Sequence, residues 1–232
     1  MLEYVRLRKS NMDLYHALNR GVEKRDIFLD SQDRARFVHN MFEFNKVPAT
    51  YNTRRGVPAG KMFDLRSRTS DHERLVDIHG WVLMKNHYHL LLSERIEDGI
   101  VLFLRRLNIG YAKYFNEKNK RSGYLFQGRT KKLLISNDAH FLHILHYIHL
   151  NPLDFLAGAR EWRNNKISDP KKALAYLETH RWSSYRDYCG TKNFPSILTT
   201  DLFSGVFGDY GRVLREYLKD MNGQAFDAAT LE

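Results

Sequence analysis

The chain has 232 residues, is 43% hydrophobic and 28% charged, and contains a single cysteine, Cys189. This composition excludes a disordered chain, a disulfide framework and a cysteine-based zinc cluster, and no apolar run is long enough to predict a membrane-spanning helix or a secretory signal. The net charge of +10, with 14 Phe, 13 Tyr and 3 Trp interspersed among the basic residues, favours a nucleic-acid partner. We therefore expect a cytoplasmic protein with no membrane partner.

The first part of the chain alternates between strand-like and helix-like patterns. In chain order we predict a strand over 13–19, a helix over 31–44, a long basic loop over 45–74, and strands over 75–84 and 88–92. Asp30 is the expected cap of the helix, and Lys85-Asn86 forms the turn between the last two strands. The loop is predicted because seven of its 30 residues are Lys or Arg and because glycine and proline interrupt it.

The second part of the chain is mostly helical. In chain order we predict a helix over 98–116, a basic turn over 119–129, a strand over 131–135, and helices over 138–150, 170–180 and 211–221. The order strand, helix, strand, strand, helix, strand is that of the ferredoxin-like fold, which RNA-recognition modules share. We therefore predict an α+β protein: an antiparallel sheet with helices on one face, followed by a C-terminal helical extension over 156–232 that packs on it.

Two histidines at the start of a predicted strand form a candidate metal site. His87 and His89 are two positions apart, so both side chains lie on the same face of the strand and can bind one ion. With 11 His in the chain, about 0.5 such pairs arise by chance, and no nearby acid completes a two-histidine, one-carboxylate set. A pair of buried, hydrogen-bonded histidines therefore stays open as the alternative.

The helix that ends before Pro152 carries a candidate nucleophile. His143, Tyr147 and Asn151 are spaced by four residues and share one helix face. The phenol of Tyr147 is a possible nucleophile, and the amide oxygen of Asn151, one turn away, is a possible metal ligand. The alternative for Tyr147 is a core residue of an apolar helix. His143 is a possible helper in deprotonating the phenol, but a packing role is favoured for it.

Three segments, KNHYHLLLS, GYAKYFNEKNKRSGYLFQGR and HYIHLNP, resemble in order and spacing the single-tyrosine HUH transposases, and most of all the REP-associated tyrosine transposases of bacteria. The resemblance covers roughly residues 13 to 190. It implies an RNA-recognition-like sheet with the two histidines on a central strand and the tyrosine helix packed beside it. It also implies a catalytic domain over 1–155 that cleaves and rejoins single-stranded DNA next to hairpins through a 5′-phosphotyrosine intermediate, in the cytoplasm with chromosomal DNA.

The resemblance assigns roles residue by residue. His87 and His89 match the metal-binding pair, Tyr147 matches the nucleophile, and Asn151 matches the polar residue that completes the site for a divalent ion, Mg²⁺ or Mn²⁺. Expected contacts with REP-like hairpin DNA are made by Arg20, Gly21, Arg121, Arg129, Lys131 and Lys132. The alternative for each of these cations is a solvated surface charge.

Several alternatives remain at the level of sequence. Tyr111 and Tyr114 are rival nucleophiles, because they lie on a long helix before a basic turn. The protein as a whole has two rival functions: a domesticated hairpin- or single-strand-binding protein without strand transfer, and a metal-dependent phosphohydrolase that uses only the histidine pair. The intact set of two histidines, tyrosine and asparagine favours the transposase. The 80 or so residues after Tyr147 favour a monomer over a dimer.

Overall fold

A computed structural model describes residues 13–47 and 74–221. The strands are β1 (Leu14–Arg20), β2 (Val76–Leu83), β3 (His87–Glu94) and β4 (Lys131–Leu134). The helices are α1 (Ser31–Glu43), α2 (Gly99–Lys118), α3 (Asp138–Leu150), α4 (Pro170–Thr179), α5 (Tyr185–Tyr188), α6 (Asp201–Phe207) and α7 (Tyr210–Asp220). Most of the predicted basic loop over 45–74 lies outside the described residues.

The four strands form one sheet in the order β2-β3-β1-β4, and every neighbouring pair is antiparallel. Along the chain the first six elements follow the order β1, α1, β2, β3, α2, β4. This combination of chain order and sheet order is the ferredoxin-like fold. The predicted fold class is therefore confirmed, and β3 and β1 are the central strands.

Helices α1 and α2 cover one face of the sheet. Tyr88 of β3 contacts Phe37 of α1 at 4.9 Å between ring centroids, and its hydroxyl donates to Asn108 of α2 at 2.8 Å. Tyr111 of α2 completes this aromatic layer against Phe37 at 5.1 Å. Strand side chains alternate between the two faces of a sheet. His87 and His89, which flank Tyr88 in sequence, therefore lie on the opposite face.

Helix α3 packs on that opposite face, close to the middle of the sheet. Gly80 of β2 allows the approach, because a Cβ at this position would lie 2.9 Å from the Cδ1 of Leu145. The C-terminal helix α7 packs on α3, where the Tyr210 hydroxyl lies 2.8 Å from Nδ1 of His149. The predicted C-terminal helical part is thus confirmed. None of the described helices is long and apolar enough to span a membrane.

The ends of α3 position Tyr147 beside the sheet. Asn137 caps the first turn by accepting from the backbone N–H of His140 at 2.8 Å. The helix ends at Leu150 and continues as a short 3-10 turn, Asn151–Phe155, which includes Pro152. Tyr147 therefore lies in the last turn of α3 and Asn151 directly after it.

Candidate active site

The sheet register brings the two histidines and the tyrosine together. His87 and His89 lie 4.9 Å apart between ring centroids, and His89 lies 5.8 Å from the ring of Tyr147. Two elements distant in sequence, β3 and α3, supply these groups. The structure therefore places the predicted metal pair next to the predicted nucleophile.

His89 has one partnered and one unpartnered nitrogen. Its Nδ1 lies 2.8 Å from Nε2 of His16, and the two rings stack with centroids 5.0 Å apart. Its Nε2 is buried and has no hydrogen-bond partner among the described residues. Burial, together with the charges of His87 and His16, lowers the pKa of His89 well below its usual range. The ring is therefore neutral, and in the tautomer that donates from Nδ1 to His16 the Nε2 atom carries a lone pair.

The second ring, that of His87, is oriented by its neighbour in sequence. Nδ1 of His87 lies 2.6 Å from Oδ1 of Asn86, and since an amide oxygen only accepts, the imidazole donates. Asn86 is fixed in turn by donating from Nδ2 to the carbonyl of Lys24 at 3.0 Å. A hydrogen bond that fixes the tautomer in this way is the usual support of a metal-binding histidine.

The chemistry of these donors fits a divalent ion bound through two imidazoles. The unpartnered Nε2 of His89 and the oriented ring of His87 supply two nitrogen donors on one face. Among the described residues, no group of three or more His, Cys, Asp or Glu side chains lies close enough together to hold a metal. The amide of Asn151 is the third ligand predicted from the sequence.

Asn151 is fully buried, and both ends of its amide are hydrogen-bonded. Nδ2 donates to the carbonyl of Tyr147 at 2.8 Å, which ties the amide to the last turn of α3. Oδ1, the atom expected to bind the metal, accepts from Arg163 at 2.9 Å. The structure thus places Asn151 beside Tyr147 and links its oxygen to a cation.

Arg163 places a positive charge beside the candidate nucleophile. Its guanidinium lies 5.8 Å from the ring centroid of Tyr147 and 4.3 Å from that of Trp162. Burial by itself lowers the pKa of Arg163. The hydrogen bond and the charge of Asp154, followed by the Tyr147 phenol, outweigh burial, so the pKa of Arg163 is raised. A permanent positive charge beside a phenol stabilises the phenolate.

The rival tyrosines are excluded from this site by their position. Tyr111 is buried on the α1 and α2 face, where its hydroxyl donates to the carbonyl of Ile27. Tyr114 donates to Asp33 at 3.1 Å, and burial together with that carboxylate raises the pKa of Tyr114 to about 12. Neither faces the histidine pair. His143, the possible helper, packs against Tyr217 of α7 at 5.7 Å, in agreement with a packing role.

Three of the predicted DNA-binding cations lie along one groove. A groove of about 340 Å³ runs from His89 between the end of β1 and the segment before β4, and Arg20, Arg129 and Lys131 line it. Arg20 pairs with His87 across the sheet, so both side chains are on the same face. The Nε of Arg20 is buried with no partner among the described residues. The groove therefore joins the histidine pair to a positively charged surface.

The other three predicted DNA-binding residues have different surroundings. Lys132 pairs with Ala17 and so lies on the face opposite Lys131. Arg121 donates to Asn116 and, at 3.3 Å, to the carbonyl of Tyr124, which holds a turn. Gly21 has a packing reason, since a Cβ there would lie 2.3 Å from the carbonyl oxygen of Arg25.

Three residues of the site were not found from the sequence: His16, Asn86 and Arg163. His16 lies next to His89 only because β1 pairs with β3, and a single strand does not reveal its partner. Arg163 lies in a short 3-10 turn, Trp162–Asn164, which follows an irregular segment, so no helical or strand spacing links it to Asn151. Of these three residues, only Asn86 had a signal in the sequence, because it directly precedes His87.

No family model and no curated protein matches this chain. A solved structure of a REP-associated tyrosine transposase bound to a REP hairpin is similar to it, at 13% sequence identity over 82% of this chain and 87% of that one, with a TM-score of 0.44. The fold described above rests on the strand order of this chain itself.

Proposed function

We propose that this protein is a metal-dependent DNA transposase that cleaves and rejoins single-stranded DNA next to hairpins, with Tyr147 as the nucleophile. The observation that carries the proposal is the position of the Tyr147 ring, whose centroid lies 5.8 Å from that of His89. The Nε2 of His89 is buried and has no partner in the described part of the chain. A phenol, a metal-type histidine pair and a cationic groove meet at this point. A purely structural histidine cluster has no reason to adjoin such a groove.

The proposed reaction is an exchange of phosphodiester partners. The Tyr147 oxygen attacks phosphorus, the bond from phosphorus to the 3′ oxygen breaks, and the leaving 3′ oxygen takes up the proton that the phenol gives up. The product is a 5′-phosphotyrosine link and a free 3′-OH. A second 3′-OH reverses the step and joins the strands, so no ATP is needed.

Each residue of the site has a role in this scheme. His87 and His89, with Asn151 as the third ligand, hold Mg²⁺ or Mn²⁺. When bound, the ion supplies positive charge against the scissile phosphate. Arg163 holds the amide of Asn151 and stabilises the phenolate of Tyr147 by its charge.

The DNA strand follows the groove beside the histidine pair. Arg20, Arg129 and Lys131 line it and neutralise the phosphates. Phosphate contacts of this kind supply affinity and orientation and leave the reading of sequence to other contacts.

A trapping experiment tests the proposal. The protein is incubated with hairpin DNA carrying single-stranded flanks and Mn²⁺ or Mg²⁺, and a denaturing gel shows whether DNA stays attached. Wild type forms the adduct, and Tyr147→Phe, which removes one oxygen and keeps the packed ring, does not. Tyr111→Phe and Tyr114→Phe are the matched controls and retain the adduct. An adduct that persists in Tyr147→Phe and disappears in Tyr111→Phe would place the nucleophile on α2.

One observation favours a second function, a hairpin-binding protein without strand transfer. The oxygen of Asn151 is already bonded to Arg163, so the third ligand is engaged by a cation. The same experiment separates the two functions, because a binder retains the flanked hairpin on a native gel and never forms the denaturant-resistant adduct.

A further inference from the structure

Tyr124 is an exposed aromatic side chain on a well-fixed turn. Tyr124 is 88% exposed, which is the highest value among the exposed large hydrophobic residues in the described part of the chain. The backbone is held from both sides: Arg121 donates to the Tyr124 carbonyl at 3.3 Å, and Asn116 donates to the Gly123 carbonyl at 2.9 Å. The turn therefore presents the ring to solvent at a defined position.

The ring borders an apolar groove of about 650 Å³ between this turn and α2. Ile109, 60% exposed, is another large apolar side chain of the groove, and Phe126 lines it as well. Phe126 is anchored by ring contacts with Tyr88 at 6.1 Å and Tyr111 at 6.5 Å. Exposed apolar side chains that cluster around a fixed groove are typical of a binding site.

This groove adjoins the groove of the candidate active site, because the two share lining residues. The segment Gln127 to Arg129 and Asn19 line both the apolar groove and the groove that contains His89. Arg129 supplies a cation at the junction, and no Asp or Glu is among the described residues that line either groove. A polyanion that extends from the cationic groove past the Gln127 to Arg129 segment into the apolar groove thus reaches the Tyr124 ring without meeting a carboxylate among the described lining residues.

We infer that Tyr124 and Ile109 form a binding site for an unpaired base of the single-stranded DNA that flanks the hairpin. This inference rests on the proposed function, and it names the part of the substrate that the second groove takes. An aromatic ring stacks on any base, while a neighbouring arginine binds the phosphate. Stacking of one base changes affinity by about 5- to 150-fold, which corresponds to about 1–3 kcal/mol.

The test compares binding of flanked and blunt hairpins in the absence of metal, so that no cleavage occurs. Tyr124→Ala is expected to weaken binding of the flanked hairpin by about 5- to 150-fold and to leave the blunt hairpin unchanged. Tyr124→Phe, which keeps the ring, binds as wild type does. Leu29→Ala is the matched control, because Leu29 is 56% exposed and lines neither groove.

A fluorescent base locates the contact. With 2-aminopurine at successive flank positions, wild type and Tyr124→Phe quench one position that Tyr124→Ala leaves bright. An abasic site at that position lowers wild-type affinity to that of Tyr124→Ala and has no further effect in the variant. Equal affinity of Tyr124→Ala and wild type for the flanked hairpin would overturn the inference. So would a change in mass by light scattering on Tyr124→Ala, which would mark the ring as a self-association surface.

The outcome is independent of strand transfer. A wild-type adduct without any effect of Tyr124→Ala contradicts only the base-binding site. A clear effect of Tyr124→Ala on binding, with no adduct from the wild type, contradicts only the transposase reaction.

Discussion

Helix α3 lies between two groups of histidines that differ in their hydrogen bonds. The closed cluster is His146 and His149 with Tyr210, where Tyr210 lies 3.1 and 2.8 Å from the two Nδ1 atoms. His149 also uses Nε2, at 2.7 Å from the hydroxyl of Ser184. The open cluster is His16, His87 and His89, where Nε2 of His89 has no partner among the described residues.

Burial and pKa do not distinguish His89 from the two histidines of the closed cluster. Burial, assisted by the charge of His143, lowers the pKa of His146 to about 3, and burial also lowers the pKa of His149 and His89 well below the usual range. All three rings are neutral at physiological pH. The count of partners does distinguish them, because a buried polar atom without a partner is costly in a fold and is kept where a ligand supplies the partner.

The largest expected effect is on the open cluster. His87→Ala or His89→Ala abolishes cleavage and leaves binding of the flanked hairpin mostly intact, since phosphate contacts with Lys and Arg dominate the affinity. Chelation of the metal from wild type gives the same result. Adduct yield on a denaturing gel and affinity on a native gel are the two measurements. Loss of binding as complete as the loss of cleavage would make this cluster structural.

In the closed cluster, a substitution is expected to lower the stability of the fold. His149→Leu keeps the ring's volume but removes a partner from both Tyr210 and Ser184, at a cost of about 2–4 kcal/mol in the free energy of unfolding. For a chain of this size that lowers Tm by about 5 to 15 °C. His89→Leu is the matched control. It lowers Tm by less than His149→Leu does, because it also removes a buried Nε2 that has no partner among the described residues. Equal losses of Tm in thermal melts would erase the difference between the clusters.

A smaller effect is expected at Arg163, which connects the open cluster to the end of α3. Arg163→Gln lowers the rate of adduct formation at saturating DNA by about 10- to 100-fold, because Asn151 and Tyr147 lose the cation that orients them. Affinity for the hairpin stays the same. Arg163→Lys restores part of the rate, since it keeps the charge and loses the planar fork. A change in affinity without a change in rate would make Arg163 a DNA-contacting residue only.

The smallest effect concerns two adjacent lysines on opposite faces of β4. Lys131→Gln lowers the salt dependence of binding by about one unit in the slope of log K against log salt, because Lys131 lines the groove that leads to His89. Lys132→Gln lowers it less, because Lys132 pairs with Ala17 on the other face. Titrations at several salt concentrations measure both slopes. Equal slopes would show that DNA does not follow this groove.

The fold was predictable because its signals are local. The cap at Asn137 and the proline at 152 set the ends of α3, and the predicted strand over 131–135 differs by one residue from β4, Lys131–Leu134. Caps, turns and periodicity act over a few residues, so a single sequence contains them.

The site was predictable only where local spacing links its residues. His87 with His89, and Tyr147 with Asn151, are linked by strand and helix periods. The contacts of His16 and Arg163 depend on strand pairing and on the path of the chain after α3, which no local pattern encodes. The different faces of Lys131 and Lys132 likewise follow from the register of β4 on β1.

The most direct test of the central claim is to identify the amino acid that carries the DNA. After the adduct is digested with nuclease and trypsin, mass spectrometry is applied to the peptide over 133–160, which contains Tyr147 as its one tyrosine. The account predicts this peptide with a 5′-linked nucleotide on Tyr147. A nucleotide on any other tyrosine, or cleaved DNA with no modified peptide, would contradict it.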